Sequence, residues 1–246
     1  MEENNTFAPC YSEIKFSKKV RNALKRLEDG KSIRKSYYSS KELNDIGLCF
    51  WYGHIVSKDY RSAIYWYDVS AQMNYEVAEF NLYVCYNRGT GVAANEKIAL
   101  AWLRRAAKHG CPNAQLILAE CYYKGEMVKQ NCRLADLWLR RTSLNAIKQG
   151  DEITLFLLGI FYSLGECVSI DMEKAIFYYQ KAGELKYPLA INHLIWIFIA
   201  CEDMEKVEYW MKEFYKCKGI TSSLKERTEQ NYYQFKNRID LDVDTK

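Results

Sequence analysis

Residues 78–110 read AEFNLYVCYNRGTGVAANEKIALAWLRRAAKHG, and much of the remaining chain repeats them at a nearly fixed distance. The tetrapeptide WLRR at Trp102–Arg105 returns at Trp138–Arg141, a shift of 36 residues. Ala99 has counterparts at Ala63 and Ala135 at that spacing, and at Ala175 after a step of 40. Gly89 is matched by Gly53, Gly125 and Gly165, and Val92 by Val56, Val128 and Val168. Such self-similarity marks a repeat architecture, in which no unit buries its apolar face alone and each packs on the next. The longer step puts four extra residues near Ser143–Ile153, to be absorbed by one more helical turn or a longer return loop.

Each recurring position has a physical reason. The loops end at Asp59, Asn95, Asn131 and Asp171, residue types that cap helix N-termini through a side-chain oxygen. The loop glycine sits where a left-handed conformation closes the preceding helix, and the loop valine reads as a plug beneath the turn. Ala63, Trp66 and Ala71 fall on one helix face. There the alanine admits a close neighbour and Trp66, Trp102, Trp138 or Tyr178 fills the wider gap. The preceding helices bury Ala78, Leu82 and Tyr86, then Ala114, Leu118 and Tyr122, then Leu158, Gly159 and Tyr162.

The pattern A-x-x-x-L-x-x-x-Y-x-x-G-x-G-V-x-x-N…A-x-x-W…A-A-x-x-G, from Ala78 to Gly110, resembles a Sel1-like repeat, a relative of the tetratricopeptide family. Ile55, Met127 and Cys167 hold the slot of the second loop glycine, which the second unit keeps as Gly91. Glu42 and Thr154 replace the opening alanine of the first and fourth units, and a fifth unit from Ala190 has Cys201–Asp203 in place of the loop. The resemblance implies an all-α fold, a right-handed superhelical α-solenoid of helix-pair repeats with capping helices at both ends. Its array would span residues 42–218, with units near 42–77, 78–113, 114–153 and 154–189 and a degenerate one at 190–218. Residues 1–41 form the N-terminal capping region, in which 13–29 read as one helix with a Phe16, Val20, Ala23, Leu24, Leu27 stripe ending at Gly30. Residues 219–246 form a C-terminal cap, helical over 222–239 and frayed from Asp240.

Composition agrees with this reading. Of 246 residues 49% are hydrophobic and 27% charged, which excludes a disordered chain. Three prolines and twelve glycines are sparse punctuation for a β-sandwich of this length. A net charge of +4 is small for a dedicated nucleic-acid binder. The first residues carry no basic region before an apolar one, and the most apolar run, Leu194 to Cys201, is eight residues, far short of the ~20 that span a bilayer. Nine scattered cysteines without a CxxC pair suit free thiols, so a cytoplasmic location is expected.

Candidate chemistry is thin. His54, His109 and His193 lie in different units with no recurring acid or nucleophile; His109 suits a helix C-terminus. Cys49, Cys85 and Cys121 recur every 36 residues, but helices about 9–10 Å apart hold them beyond disulfide reach, so they read as packing residues. Gly89-Thr90-Gly91 follows no strand and is no phosphate loop. No cofactor, metal or catalytic residue is expected.

Two binding surfaces remain. Nine basic residues stand against three acids between Ser12 and Lys35. Lys15, Lys18, Lys19, Lys25 and Arg26 lie opposite the apolar stripe, either as a solvated cap or as a face for an acidic protein, anionic lipid or nucleic acid. In tetratricopeptide-like solenoids the first helices line a concave groove. Counting from the core positions turns Asn44, Leu48, Trp51 and Tyr52 inward, followed by Phe80, Val84, Asn87 and Arg88. Next come Leu116, Glu120, Tyr123 and Lys124, then Phe156, Ile160, Ser163 and Leu164, and finally Asn192 and Trp196. Aromatic anchors with a few charges are what protein interfaces favour. The expected function is a non-enzymatic module binding another protein in this groove. The resemblance extends to bacterial immunity proteins that neutralise a cognate toxin, and equally to adaptors or regulatory scaffolds of secretion, envelope or signalling complexes. Binding of an anionic surface or nucleic acid through the basic helix is the second alternative, and no membrane span is expected.

Overall fold

The structure, a computed structural model, describes residues 16–165 and 169–244. These residues form twelve α-helices and no strand. They are α1 (Lys18–Glu28), α2 (Ser40–Tyr52), α3 (Tyr60–Ala71), α4 (Glu76–Arg88), α5 (Glu96–His109) and α6 (Pro112–Lys124), then α7 (Cys132–Gln149), α8 (Glu152–Leu164), α9 (Met172–Glu184), α10 (Pro188–Ala200), α11 (Met204–Tyr215) and α12 (Ser222–Asp244). Two compact units divide the chain after Asn131. In the first, α2 pairs with α3 and α4 with α5, α1 lies on α2, and α6 follows on α5. In the second, α8 pairs with α9 and α10 with α11, α7 packs on α8 and α12 on α10. The fold is thus an all-α solenoid of helix pairs.

The first three loops share one pattern, and the described ends of the fourth match it. Gly53, Gly89, Gly125 and Gly165 close the first helix of successive pairs at φ 70–79°. The four residues that end the loops then bind back to the same helix, with Asp59 N–H donating to Phe50 C=O, Asn95 to Tyr86, Asn131 to Tyr122 and Asp171 to Tyr162, at 2.7–2.9 Å. Asp59, Asn95 and Asp171 side chains accept from the next helix at 3.0–3.1 Å. Val56 is the plug in the first loop, 6% exposed; Cys167 and Val168 lie outside the described residues.

Left-handed backbone also falls on residues that suit it badly. Ile55 (φ 72°) and Met127 (φ 60°) adopt the conformation that Gly91 (φ 77°) adopts in the second repeat. A side chain in that region costs roughly 1–2 kcal/mol, partly offset by the entropy a glycine loses on folding. Ile55→Gly is therefore expected to stabilise the protein by about 0.5–1 kcal/mol, seen as a higher urea midpoint at unchanged slope. A lower midpoint would mean that the isoleucine's contacts outweigh its backbone strain.

The core follows the repeat. Ala63, Ala99, Ala135 and Ala175 are fully buried, as are Ala78 and Ala114. Where a glycine stands in a first helix, a tyrosine fills its place: a Cβ at Gly47 would lie 2.7 Å from the Tyr67 ring, and one at Gly159 2.5 Å from Tyr179. The four extra residues of the third repeat lengthen α7 to 18 residues, against 14 in α5 and 13 in α9. They make a helical turn and not a loop. At the C-terminus α12 extends to Asp244, beyond the 222–239 read from sequence. No glycine or proline interrupts this stretch, and each further residue gains a hydrogen bond.

Candidate functional site

The five residues two positions after the repeat's opening slot are Asn44, Phe80, Leu116, Phe156 and Asn192, all read from sequence as groove-facing. All five are interior, at 2%, 7%, 0%, 8% and 8% exposure. The first turns of these helices sit between neighbours, so this slot packs. Leu116 and Phe156 are therefore core and not contact residues, whereas Phe80 is the floor of a cleft. Asn44 accepts from Asn81 at 2.9 Å and Asn192 donates to Thr228 at 2.7 Å, which explains how amides are tolerated there. One turn later Leu48, Val84, Glu120 and Ile160 are half-buried and Trp196 is exposed. At the helix ends Tyr52, Asn87, Arg88 and Lys124 reach solvent, while Trp51 and Tyr123 stay half-buried. Trp51 is spent on packing, 4.8 Å edge-on to Tyr60.

In the first unit the rows of α4 and α6 enclose a cleft of about 380 Å³. Phe80, Val84, Asn87 and Arg88 line it from α4 and Glu120 from α6, so five of the sequence-derived residues meet in one place. Trp51, Tyr52, Leu116, Tyr123 and Lys124 are not among its walls. Tyr83, Ile117, Cys121, Glu126 and Met127 complete it. Sequence reasoning passed over these five. Met127 carried a signal, because it replaces a glycine in the loop and so brings a side chain where the second repeat has none.

The chemistry of the cleft is that of a binding surface. Burial pushes the Tyr83 phenol up to about 12 and the Cys121 thiol up to about 11, so both stay neutral. The same desolvation holds Cys49 and Cys85 at about 12, where a thiol is unreactive. Arg88 is exposed and forms no ion pair with a described residue. Glu120 is tied to Lys124 one turn away. An uncharged floor under a free guanidinium and two carboxylates can hold a peptide or side chain. It offers no base paired with a nucleophile. Among the described residues no group of three or more His, Cys, Asp and Glu could hold a metal, and no helix is long and apolar enough to cross a membrane.

The histidines take separate roles. His54 rests 5.5 Å from Phe16, and His109 meets the buried Glu79 at 2.8 Å. His193 sits among aromatic rings of the second unit, 5.2 Å from Phe156 and 5.1 Å from Tyr179. Burial lowers its pKa below the ordinary imidazole value. The unfolded chain therefore takes up a proton near pH 6.5 that the folded one does not, and stability falls as pH drops below that point. His193→Gln should flatten the fall between about pH 6.5 and 5 in urea melts. Parallel curves for the two proteins would contradict it.

In the second unit Trp196, 41% exposed, stands beside Asn231 and Arg238 between α10 and α12. Ile160 is half-buried on α8 and lines no part of that depression.

The profile of the Sel1 repeat matches residues 43–75, 71–111, 112–144 and 154–187, together more than half of the chain. A Sel1 repeat protein from Oxalobacter formigenes is 26% identical at a TM-score of 0.66, covering 89% of this chain and 93% of its own. A protective antigen of uropathogenic Escherichia coli with an SLR fold is 21% identical at a TM-score of 0.57, covering 87% of this chain and 49% of its own. An immunity protein from Pseudomonas aeruginosa is 18% identical at a TM-score of 0.49, covering 88% of this chain and 73% of its own, a likeness too loose to bear on function. No curated protein matches the chain significantly.

Proposed function

Because the chain belongs to the Sel1 repeat family, whose members mediate protein–protein interaction, we propose that it is a non-enzymatic module that binds a partner protein in the cleft between α4 and α6. The observation that carries this reading is the cleft itself. Exposed Arg88 and Asn87 stand over the apolar Phe80, Val84 and Ile117, within one repeat-to-repeat junction. An Arg beside a desolvated aromatic pocket is the composition of an interface hot spot. A toxin-neutralising immunity protein and an adaptor would both use such a cleft, and the identity of the partner separates them.

The test is co-purification from the native organism followed by titration of the recovered partner. Arg88→Ala should weaken binding by about 2 kcal/mol, roughly thirtyfold, with little change in melting point because Arg88 is exposed. Neutralising Lys18 and Lys25 on α1 is the matched control and should leave this partner bound. Retention by the Arg88 variant with loss in the α1 variant would remove the cleft from the account.

A further inference from the structure

The charge of the chain is unevenly placed. Within Phe16–Tyr38, eight basic residues (Lys18, Lys19, Arg21, Lys25, Arg26, Lys31, Arg34, Lys35) face two acids, Glu28 and Asp29. Seven of the eight are exposed. Among the described residues only Lys19 and Lys31 of these eight are held in ion pairs, with Glu42 and Asp29. On α1, Lys18, Arg21 and Lys25 follow one another at i, i+3 and i+7, a single stripe. Beside it, Lys19 of α1 lies 4.2 Å from the ring of Tyr37 in the Lys35–Tyr37 turn, and the Lys35 ammonium of the same turn lies 4.6 Å from the ring of Tyr65 on α3. The Arg61 side chain, also exposed, lies one helical turn before Tyr65.

This surface is preformed. Val20, Ala23 and Leu24 on the other side of α1 are fully buried against Leu43 and Ile46 of α2. Ser17 caps the helix, and Lys19 pins it to α2 through Glu42 at 3.1 Å. Like charges held at this density repel one another and raise the affinity for an anionic partner.

We propose that the α1 face and the turn after it form a second docking surface, for an acidic, carboxylate-rich segment of a protein. Three arginines, Arg21, Arg26 and Arg34, offer planar donor forks that match carboxylates. Two other polyanions fit less well. A bilayer would need an apolar face to insert, and that of α1 is spent on the core. Single-stranded nucleic acid needs open aromatic faces for its bases, and here Lys19 and Lys35 lie over the rings of Tyr37 and Tyr65.

The test uses the full chain and three fluorescent probes of similar length and charge: a Glu/Asp-rich peptide, a single-stranded RNA, and phosphatidylserine vesicles. The peptide should bind saturably, weaken with added salt, and exceed the other two in affinity. Reversing Lys18, Arg21 and Lys25 to Glu should reduce its affinity at least tenfold, whereas the same charge change at Lys97, Arg104 and Lys129 should reduce it much less. Arg88→Ala should leave it unchanged, which keeps this surface distinguishable from the cleft. Tighter binding of RNA or vesicles, equal losses from the two reversals, or no saturable peptide binding would each overturn the proposal. Melting curves of both reversal variants verify the fold, and the exposed sites should leave it intact.

Discussion

Arg105→Met is expected to destabilise the protein by about 3–5 kcal/mol, the range for breaking a buried ion pair by removing one partner. Glu79 is fully buried, with Arg105 Nε at 2.6 Å and His109 Nδ1 at 2.8 Å. The same guanidinium donates to Ala71 C=O at 2.7 Å and to Asn74 Oδ1 at 3.1 Å. Arg105 thus satisfies three groups at once: a buried carboxylate, a carbonyl at the end of α3, and the left-handed Asn74 that ends the first repeat. Methionine keeps the aliphatic stem and loses all of these hydrogen bonds. A urea melt measures the loss, and Glu79→Leu added to Arg105→Met should restore much of it by removing the orphaned carboxylate. A single-variant cost below about 1 kcal/mol would mean that water or His109 alone satisfies Glu79.

Gly159→Val should cost about 3 kcal/mol, at the upper end for overpacking a closed core. The added Cβ meets two Tyr179 ring carbons at 2.5 Å. That ring cannot retreat easily: it is 1% exposed, lies 5.8 Å from Phe156, and its hydroxyl is 3.1 Å from Ser163 Oγ. Tyr179→Leu in the same background should recover part of the loss. At the corresponding slots the first repeat also holds Gly47 with Tyr67, whereas the second and third hold Tyr83 with Leu103 and Ala119 with Leu139. Ring and glycine change together. Equal stability of Gly159→Val and the parent in urea would show that Tyr179 is not wedged there.

Much of this architecture is legible in the residues because caps and close contacts admit few substitutes. Gly89 and Asn95 mark a helix end and a helix start by conformational demand alone, and their counterparts define the repeat independently of packing. The choice between loop and helix for the extra residues of α7 was open, since Ser143–Ile153 contains no breaker before Gly150. The inward reading places Leu116 and Phe156 wrongly for a different reason. Helical periodicity gives the direction of a side chain, but not how far neighbouring helices reach over it. The first turns are covered and the last turns emerge, so Asn87 and Arg88 stayed accessible while residues two turns earlier did not. Sequence makes His109 a dipole partner, and its pairing with Glu79 leaves no sequence signal because the two lie thirty residues apart on different helices.

The central claim is that the partner occupies the cleft between α4 and α6. Site-specific photocrosslinking tests it most directly, with a photoreactive residue at Asn87 in the cleft or at exposed Arg104 on α5. Occupation of the cleft predicts a covalent adduct with the co-purified partner from position 87 and none from position 104. An adduct from position 104 but not from 87 would contradict it.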